Sequence, residues 1–340
     1  MRAAYFSDFT HPIEREQRWL QKIKALTGAD ELLAVMSGDF LQNGLPAGET
    51  RKMRAQKGLQ AGAGGVIEMS VYASLSSIGI YAYSAARMID KLKCIDVLVL
   101  ETEAPTELLD KIVYLSIANT REFQQKVTIY KTSGMPFYAS SAKAIGEVIP
   151  GGEEVMLKWS NIFAVECIKA LKMMYSSIQC VCVPAEGMVC LADEPKQKLN
   201  PVIDELMRYQ CYVYEARLSD IYGGYEELSE RIVAQREHFT TFRDFAEIVA
   251  GTDKDIHDVR KYLLRLLCGL KKSKITVWRM YDFSPYCSMY TVSKDIFNRF
   301  KAVSGVLLIK PDEDVWLHEQ SKRDLLEVEH RTANIYKLLS

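Results

Sequence analysis

Residues Ala34 to Gly44 read A-V-M-S-G-D-F-L-Q-N-G and carry the residue types and spacing best suited to chemistry in this chain. A short apolar run, Leu32 to Met36, stops at Ser37-Gly38 and gives way to a polar, glycine-containing loop that reaches Pro46. A buried strand that delivers its carboxyl end into such a loop is where open α/β sheets bind ligands.

The elements that must position these residues are legible from periodicity. Ala3 to Phe6 reads as a strand, and Ile13 to Thr27 has helical spacing through Trp19, Leu20, Ile23 and Leu26. Gly28 caps that helix before the Leu32–Met36 strand. Thr50 to Gly62 reads as a basic helix, Gly65 to Met69 as a third strand, Ser76 to Leu92 as a helix and Ile95 to Leu100 as a fourth strand. Further helices are expected within Glu107–Lys126, Ala142–Glu147 and Glu166–Met174, with Ile178 to Val183 as the last strand. Strands alternating with helices at these intervals predict an α/β, Rossmann-like domain with a parallel sheet. Beyond about residue 195 the periods become helical throughout: Pro201–Tyr209, Tyr225–Arg236, Thr241–Ala250 and Ile256–Leu270. Two domains are therefore expected, 1–195 and a mainly α-helical 196–340, with Gly187 to Lys198 as the boundary.

Composition narrows the class. The 340 residues are 48% hydrophobic and 26% charged with a formal net charge of −1, so any basic surface must be local. No apolar run approaches the ~20 residues of a membrane span, and the chain opens as a strand rather than an apolar leader, so a cytoplasmic protein is expected. The eight cysteines include no C-x-x-C pair. Cys180, Cys182 and Cys190 have no evident fourth ligand, and buried free thiols are the expectation. Gly62-Ala-Gly-Gly65 precedes a strand and lacks a Lys-Ser/Thr ending, so it reads as a turn. Glu153-Glu154 and Asp312 with Asp314 read as solvated acidic pairs.

The loop M-S-G-D-F-L-Q-N-G-L-P resembles the signature of the bacterial tRNA(Met) cytidine acetate ligases, a branch of the HxGH-type nucleotidyltransferases. R-K-M-R-A-Q-K-G-L-Q-A-G-A-G-G-V-I-E-M, Ser160-Asn161-Ile162-Phe163, the stretches at Glu227 and Leu263, and the ending L-L-E-V-E-H-R-T-A-N-I-Y extend the resemblance along the chain. The resemblance implies a nucleotidyltransferase domain joined to a helical domain that helps hold RNA. It also implies activation of acetate by ATP and transfer of the acetyl group to the wobble cytidine of elongator tRNA(Met). In the superfamily two histidines separated by x-G supply phosphate donors at the start of the first helix.

Here the pattern departs. The histidine positions fall on Ile13 and Glu16 and the glycine on Arg15, while Asp8 and Phe9 keep the character of the family's Glu-Tyr pair. A carboxylate repels phosphates that an imidazole would hold. The family's G-S-E appears as Glu101-Thr102-Glu103, its arginine falls near Ala185, and its S-A-T-x-I-R segment has no counterpart between Met188 and Arg208. Of its nucleotide contacts only Asn161 is kept. ATP with magnesium is the cofactor if the family activity survives, held by Asp8, Ser37, Gly38, Glu101 and Asn161. Otherwise no cofactor is expected, and the reading is a non-catalytic or altered paralogue that keeps RNA binding, with tRNA or a protein as partner. The alternative is an enzyme that takes a cationic or metal-bound small molecule in a cleft made acidic by Asp8, Glu16, Glu101 and Glu103.

The RNA-facing candidates are cations. Arg51, Arg54 and Lys57, next to Lys52, follow the Gly38 loop, and ten Lys or Arg lie between Val259 and Lys301. Arg260, Lys261, Lys271, Lys272 and Arg279, with Lys274, are interleaved with Tyr262, Trp278 and Tyr281, a pattern suited to phosphate contact plus base stacking. The resemblance adds Arg331 of the closing segment.

Overall fold

The computed structural model describes residues 1–184, 199–213, 215–283, 286–291, 298, 307–309 and 320–339. The expected boundary loop Gly187–Lys198, Ala185, Cys190, Asp312 and Asp314 lie outside them.

Strand β1 (Arg2–Phe6) leads through helix α1 (Ile13–Thr27) to β2 (Glu31–Met36), and α2 (Arg51–Ala61) leads to β3 (Gly65–Glu68). After α3 (Val71–Ser74) and α4 (Ile78–Leu92) the chain returns to β4 (Val97–Thr102). Helices α5 (Thr106–Ala118), α6 (Arg121–Thr132), α7 (Phe137–Gly146), α8 (Gly152–Met156) and α9 (Trp159–Met173) precede β5 (Gln179–Pro184). The sheet order is β5-β4-β1-β2-β3, all parallel, so the chain runs one way from β1 through β3 and then returns to the other side of β1.

Burial on both faces explains why β1, β2 and β4 read as near-continuous apolar runs. Ala4, Phe6, Leu33, Val35, Leu98 and Leu100 face one core, shared with Ile89 of α4 and Ile168 of α9. Ala3, Tyr5, Leu32, Ala34, Val97 and Val99 alternate to the opposite face against Trp19, Leu20 and Ile23 of α1. Gly28 ends α1 in the left-handed region (φ 66°), where glycine carries no Cβ penalty. Thr50 caps α2 by accepting the Met53 N–H.

The C-terminal part is mainly helical: α10 (Val202–Val213), α11 (Glu226–Gln235), α12 (Phe242–Ala250), α13 (Ile256–Cys268) and α14 (Ile275–Met280), then α15 (Gln320–Leu339). It also contributes two strands that the sequence does not announce. Strand β6 (Tyr286–Thr291) pairs antiparallel with β3, and β7 (Leu307–Ile309) pairs parallel with β6, so among the described residues the sheet has seven strands. The reading of Ile178–Val183 as the last strand is corrected on this point. Y-C-S-M-Y-T lacks the apolar run of a strand buried on both faces, because it lies toward the sheet's edge. Residues beyond 195 thus complete the sheet as well as forming helices. Tyr336 of α15 reaches back to donate to the Ala47 carbonyl, 2.5 Å, beneath the loop after β2.

Candidate functional site

In an open parallel sheet the ligand crevice lies outside the carboxyl ends of the strands where the order reverses. Here that is the end of β1, flanked by β2 and β4. The loop after β1 is pinned by its own backbone and side chains. Asp8 Oδ1 accepts the Ser37 N–H at 2.6 Å, and Ser37 Oγ lies 3.2 Å from the Tyr81 hydroxyl of α4. Phe9 adopts φ 52°, a region unfavourable for a bulky residue, and its ring rests on Gly58 of α2. A Cβ on Gly58 would stand 2.5 Å from Phe9 Cζ, so glycine is what lets the ring close over the helix.

Arg54 holds the two loops together. It is fully buried, and its Nη1 donates to the carbonyls of Asp8 and Ser37, both at 3.1 Å. Its Nη2 donates to Ser37 and Gly38, and Nε to Glu49 at 3.2 Å. A guanidinium saturated in this way is a strut. It has no face left for RNA, which corrects the expectation from its basic surroundings.

The start of α1 is filled from within. Glu16 is fully buried, and Ser7 Oγ donates to its carboxyl at 3.0–3.1 Å while accepting the Phe9 N–H at 3.1 Å. Burial pushes the Glu16 carboxyl up to about 7, with Asp8 adding to the rise and Ser7 opposing it. Asp8 is also raised by burial, against the charge of Arg54. Ile13 is the first residue of α1 after Pro12, and Arg15 Nη1 lies 3.2 Å from His11 Nδ1. The first turn therefore presents Ile13 and the buried Glu16 at the positions where the resemblance places imidazoles, with the arginine–histidine contact beside them.

At the end of β4, Asn161 of α9 accepts the Glu103 N–H at 2.8 Å and donates to the Val155 carbonyl at 3.0 Å. Its amide is thus spent at both ends on backbone, a positioning role that sequence alone does not expose. Ser160 Oγ donates to Glu103 Oε1 at 3.2 Å, and Lys158 lies 3.6 Å from the same carboxylate. Glu101 is half-buried on β4. Three of the four carboxylates of the acidic-cleft alternative are taken up separately: Asp8 Oδ1 by the Ser37 N–H, Glu16 by Ser7, and Glu103 by Ser160 and Lys158. Among the described residues no group of three or more His, Cys, Asp or Glu is arranged to hold a metal ion.

Most of the expected RNA-facing cations turn inward or pair. Arg51 contacts Glu68 at 2.9 Å and Asp39 at 3.8 Å, and Lys57 pairs with Glu49 at 2.6 Å. Arg260 and Lys261 are buried, Lys261 donating to Gln42 at 3.1 Å and pairing with Asp258 at 2.9 Å. Arg331 donates to the carbonyls of Cys268 and Gly269 at the end of α13. Two of the three stacking aromatics are corrected too. Tyr262 and Trp278 are buried, the Trp278 ring 4.1 Å from that of Tyr72. Lys271, Lys272 and Arg279 remain exposed between α13 and the end of α14.

Comparison with known proteins agrees with this architecture. The family model of the HIGH nucleotidyl transferases matches residues 17–189. The chain is 32% identical over 180 residues to a tRNA(Met) cytidine acetate ligase of Thermoanaerobacter sp., an alignment that covers 52% of this chain and 45% of that protein. It is 27% identical over 191 residues to that of Clostridium perfringens, covering 53% and 46%. The chain thus spans about half the length of these curated relatives. In three dimensions it is similar to Thermotoga maritima TmcAL bound with alpha-thio ATP, with a TM-score of 0.82 at 17% identity, covering 98% of this chain and 94% of that one. The apo form of that protein gives 0.85 at 16% identity. Those structures share the fold, and the matched segment spans β2 through β5, whereas the loop after β1 and the first turn of α1 lie ahead of it. This chain belongs to the HIGH nucleotidyl transferase family.

Proposed function

We propose that this chain is a tRNA(Met) cytidine acetate ligase-like protein whose nucleotide cleft is closed by its own side chains, so that it does not adenylate acetate and serves instead in binding tRNA or a protein partner. The observation that carries this reading is Glu16, dehydrated and hydrogen-bonded to Ser7 in the first turn of α1. A nucleotide there needs donors for phosphates that gain charge in the transition state. This helix start offers a carboxyl group. Ser37 donates its N–H to Asp8, the Asn161 amide is committed to backbone, and the Phe9 ring covers Gly58. These residues do not fit ATP with magnesium.

The relatives' names point to tRNA(Met) as the nucleic acid. Exposed Lys271, Lys272 and Arg279 support a phosphate-contacting role, with no ion-pair partner for them among the described residues. No described helix is long and apolar enough to cross a membrane, and a cytoplasmic setting is part of the proposal. The test is acetate-dependent exchange of pyrophosphate into ATP, with and without tRNA(Met), beside tRNA binding measured against salt. Exchange at background is expected. Binding should weaken with salt, and replacing the three cations by glutamine should lower the log–log slope by about 3. Exchange above background would overturn the closed cleft, and a slope unchanged by the substitutions would remove RNA from this surface.

A further inference from the structure

A cavity of about 730 Å3 lies on the helical side of the molecule, between the α6–α7 turn, the segment leading into α11, and α13. That volume is within the range of small-molecule sites. None of the nucleotide-cleft residues lines it. Arg265 of α13 does, and it is only 8% exposed. Its Nε donates to the Lys261 carbonyl at 3.2 Å, and its guanidinium lies over the rings of Tyr222 and Tyr262, 5.1 and 5.9 Å from their centroids. Neither Nη has a hydrogen-bond or carboxylate partner among the described residues. Gly223, at φ 79°, lets backbone pass beneath the fork, since a Cβ there would stand 2.6 Å from Nη1.

The cavity's acids form no ion pair with this arginine among the described residues, and Asp258 acts on it only at longer range. Glu227 is paired with Arg231 and Lys254, and Asp253 with the same two cations. Asp258 is paired with Lys261, and Asp255 caps α13 by accepting the N–H groups of His257 and Asp258. Lys131, exposed at the rim, has no ion-pair partner among the described residues. The wall is also apolar in part, through Met135, Phe137 and Tyr222. A buried, unpaired guanidinium is costly, and burial pulls Arg265 below its ordinary pKa. Arginine forks match carboxylate and phosphate geometry.

We propose that this cavity binds a small organic anion, a carboxylate or phosphate carried on an apolar or aromatic body, whose charged group pairs with the Arg265 fork while its body lies against Tyr222 and Phe137. The site is separate from the nucleotide cleft and stands whether or not that cleft binds ATP.

The test is calorimetric titration of the full chain with phenyl phosphate and with benzoate at constant ionic strength. Inorganic phosphate serves as the charge alone and benzyl alcohol as the body alone. Saturable binding of phenyl phosphate or benzoate is expected, stronger than for either fragment, and the tighter of the two identifies the charged group. Arg265→Met should weaken it by at least about tenfold. Phe137→Ala, at an exposed position, should weaken it several-fold and carries the test should the buried substitution unsettle the fold. The proposal is overturned if neither probe saturates, if affinity is unchanged in Phe137→Ala and in a folded Arg265→Met, or if inorganic phosphate binds as well as phenyl phosphate. It is also overturned if a short RNA oligonucleotide binds there in an Arg265-dependent way and the small anions do not.

Discussion

The crevice at the end of β1 and the cavity beside α13 each bury an arginine, and the two arginines are used in opposite ways. Arg54 spends its guanidinium on the carbonyls of Asp8, Ser37, Gly38 and Glu49. Among the described residues Arg265 makes one hydrogen bond, to the Lys261 carbonyl, and rests on aromatic faces. A charge that is buried and satisfied is a structural tie, whereas one that is buried and unsatisfied faces a cavity waiting for a counter-ion. On the proposed reading the crevice at the end of β1 is a packed junction, and an open, polar-lined space lies among the helices.

The largest expected break in this comparison is Arg54→Met. It strands several buried carbonyls and should cost about 3–5 kcal/mol in urea unfolding. Arg54→Lys should recover little, because an ammonium cannot span four carbonyls. A loss below about 1 kcal/mol would show that the loops hold without the strut.

Glu16 gives a pH signature of its burial at the start of α1. Its carboxyl is raised from 4.5 to about 7 in the folded chain, so between those values the native state retains a proton that the unfolded state has released. Its contribution is complete below pH 4.5, is lost as pH rises through 7, and is flat above. The total amounts to up to roughly 3 kcal/mol. Asp39, raised by burial to about 6, slopes the same way between 3.8 and 6. Glu16→Gln should therefore flatten the upper part of the profile and leave a smaller fall at lower pH. Equal profiles for the two proteins would place Glu16 in water.

A subtler break is Gly58→Ala. Helix propensity alone would favour alanine by about 0.5–1 kcal/mol. The 2.5 Å approach to the Phe9 ring reverses the sign, and a loss of about 2 kcal/mol is expected. Phe9→Leu in the same chain should recover part of it. The smallest effect belongs to the other arginine. Arg265→Met replaces an unpaired charge by a side chain of similar length and should change stability by less than about 1 kcal/mol. A loss as large as that of Arg54→Met would erase the distinction between the two regions.

The strands of the parallel sheet were legible because burial on both faces leaves no room for polar residues in Ala3–Phe6, Leu32–Met36 or Val97–Leu100. The end of α1 was legible because Gly28 is its left-handed cap. Strand β6 was not, since an antiparallel strand of mixed composition carries a short and ambiguous period. The departures at Ile13, Arg15 and Glu16 were also visible in the sequence, but the pairing of Glu16 with Ser7 needed the fold. The basic stretch of α2 misled for a specific reason. Counting charges marks it as a surface, yet Arg54, Ala55 and Gly58 form the buried stripe of that helix. The small residues at 55 and 58 were the available signal. In α13 every residue from Val259 to Cys268 is buried, so no amphipathic period separated Arg260, Lys261 and Arg265 from solvent-facing cations.

The most direct test of the closed cleft is thermal unfolding of the full chain against millimolar ATP with magnesium. A ligand at a hundredfold its dissociation constant would stabilise the native state by about 2.7 kcal/mol, readily seen as a rise in melting temperature. The account predicts no saturable rise. A saturable one, lost in a variant that alters Ser37 or Asn161, would contradict it and return ATP to the end of β1.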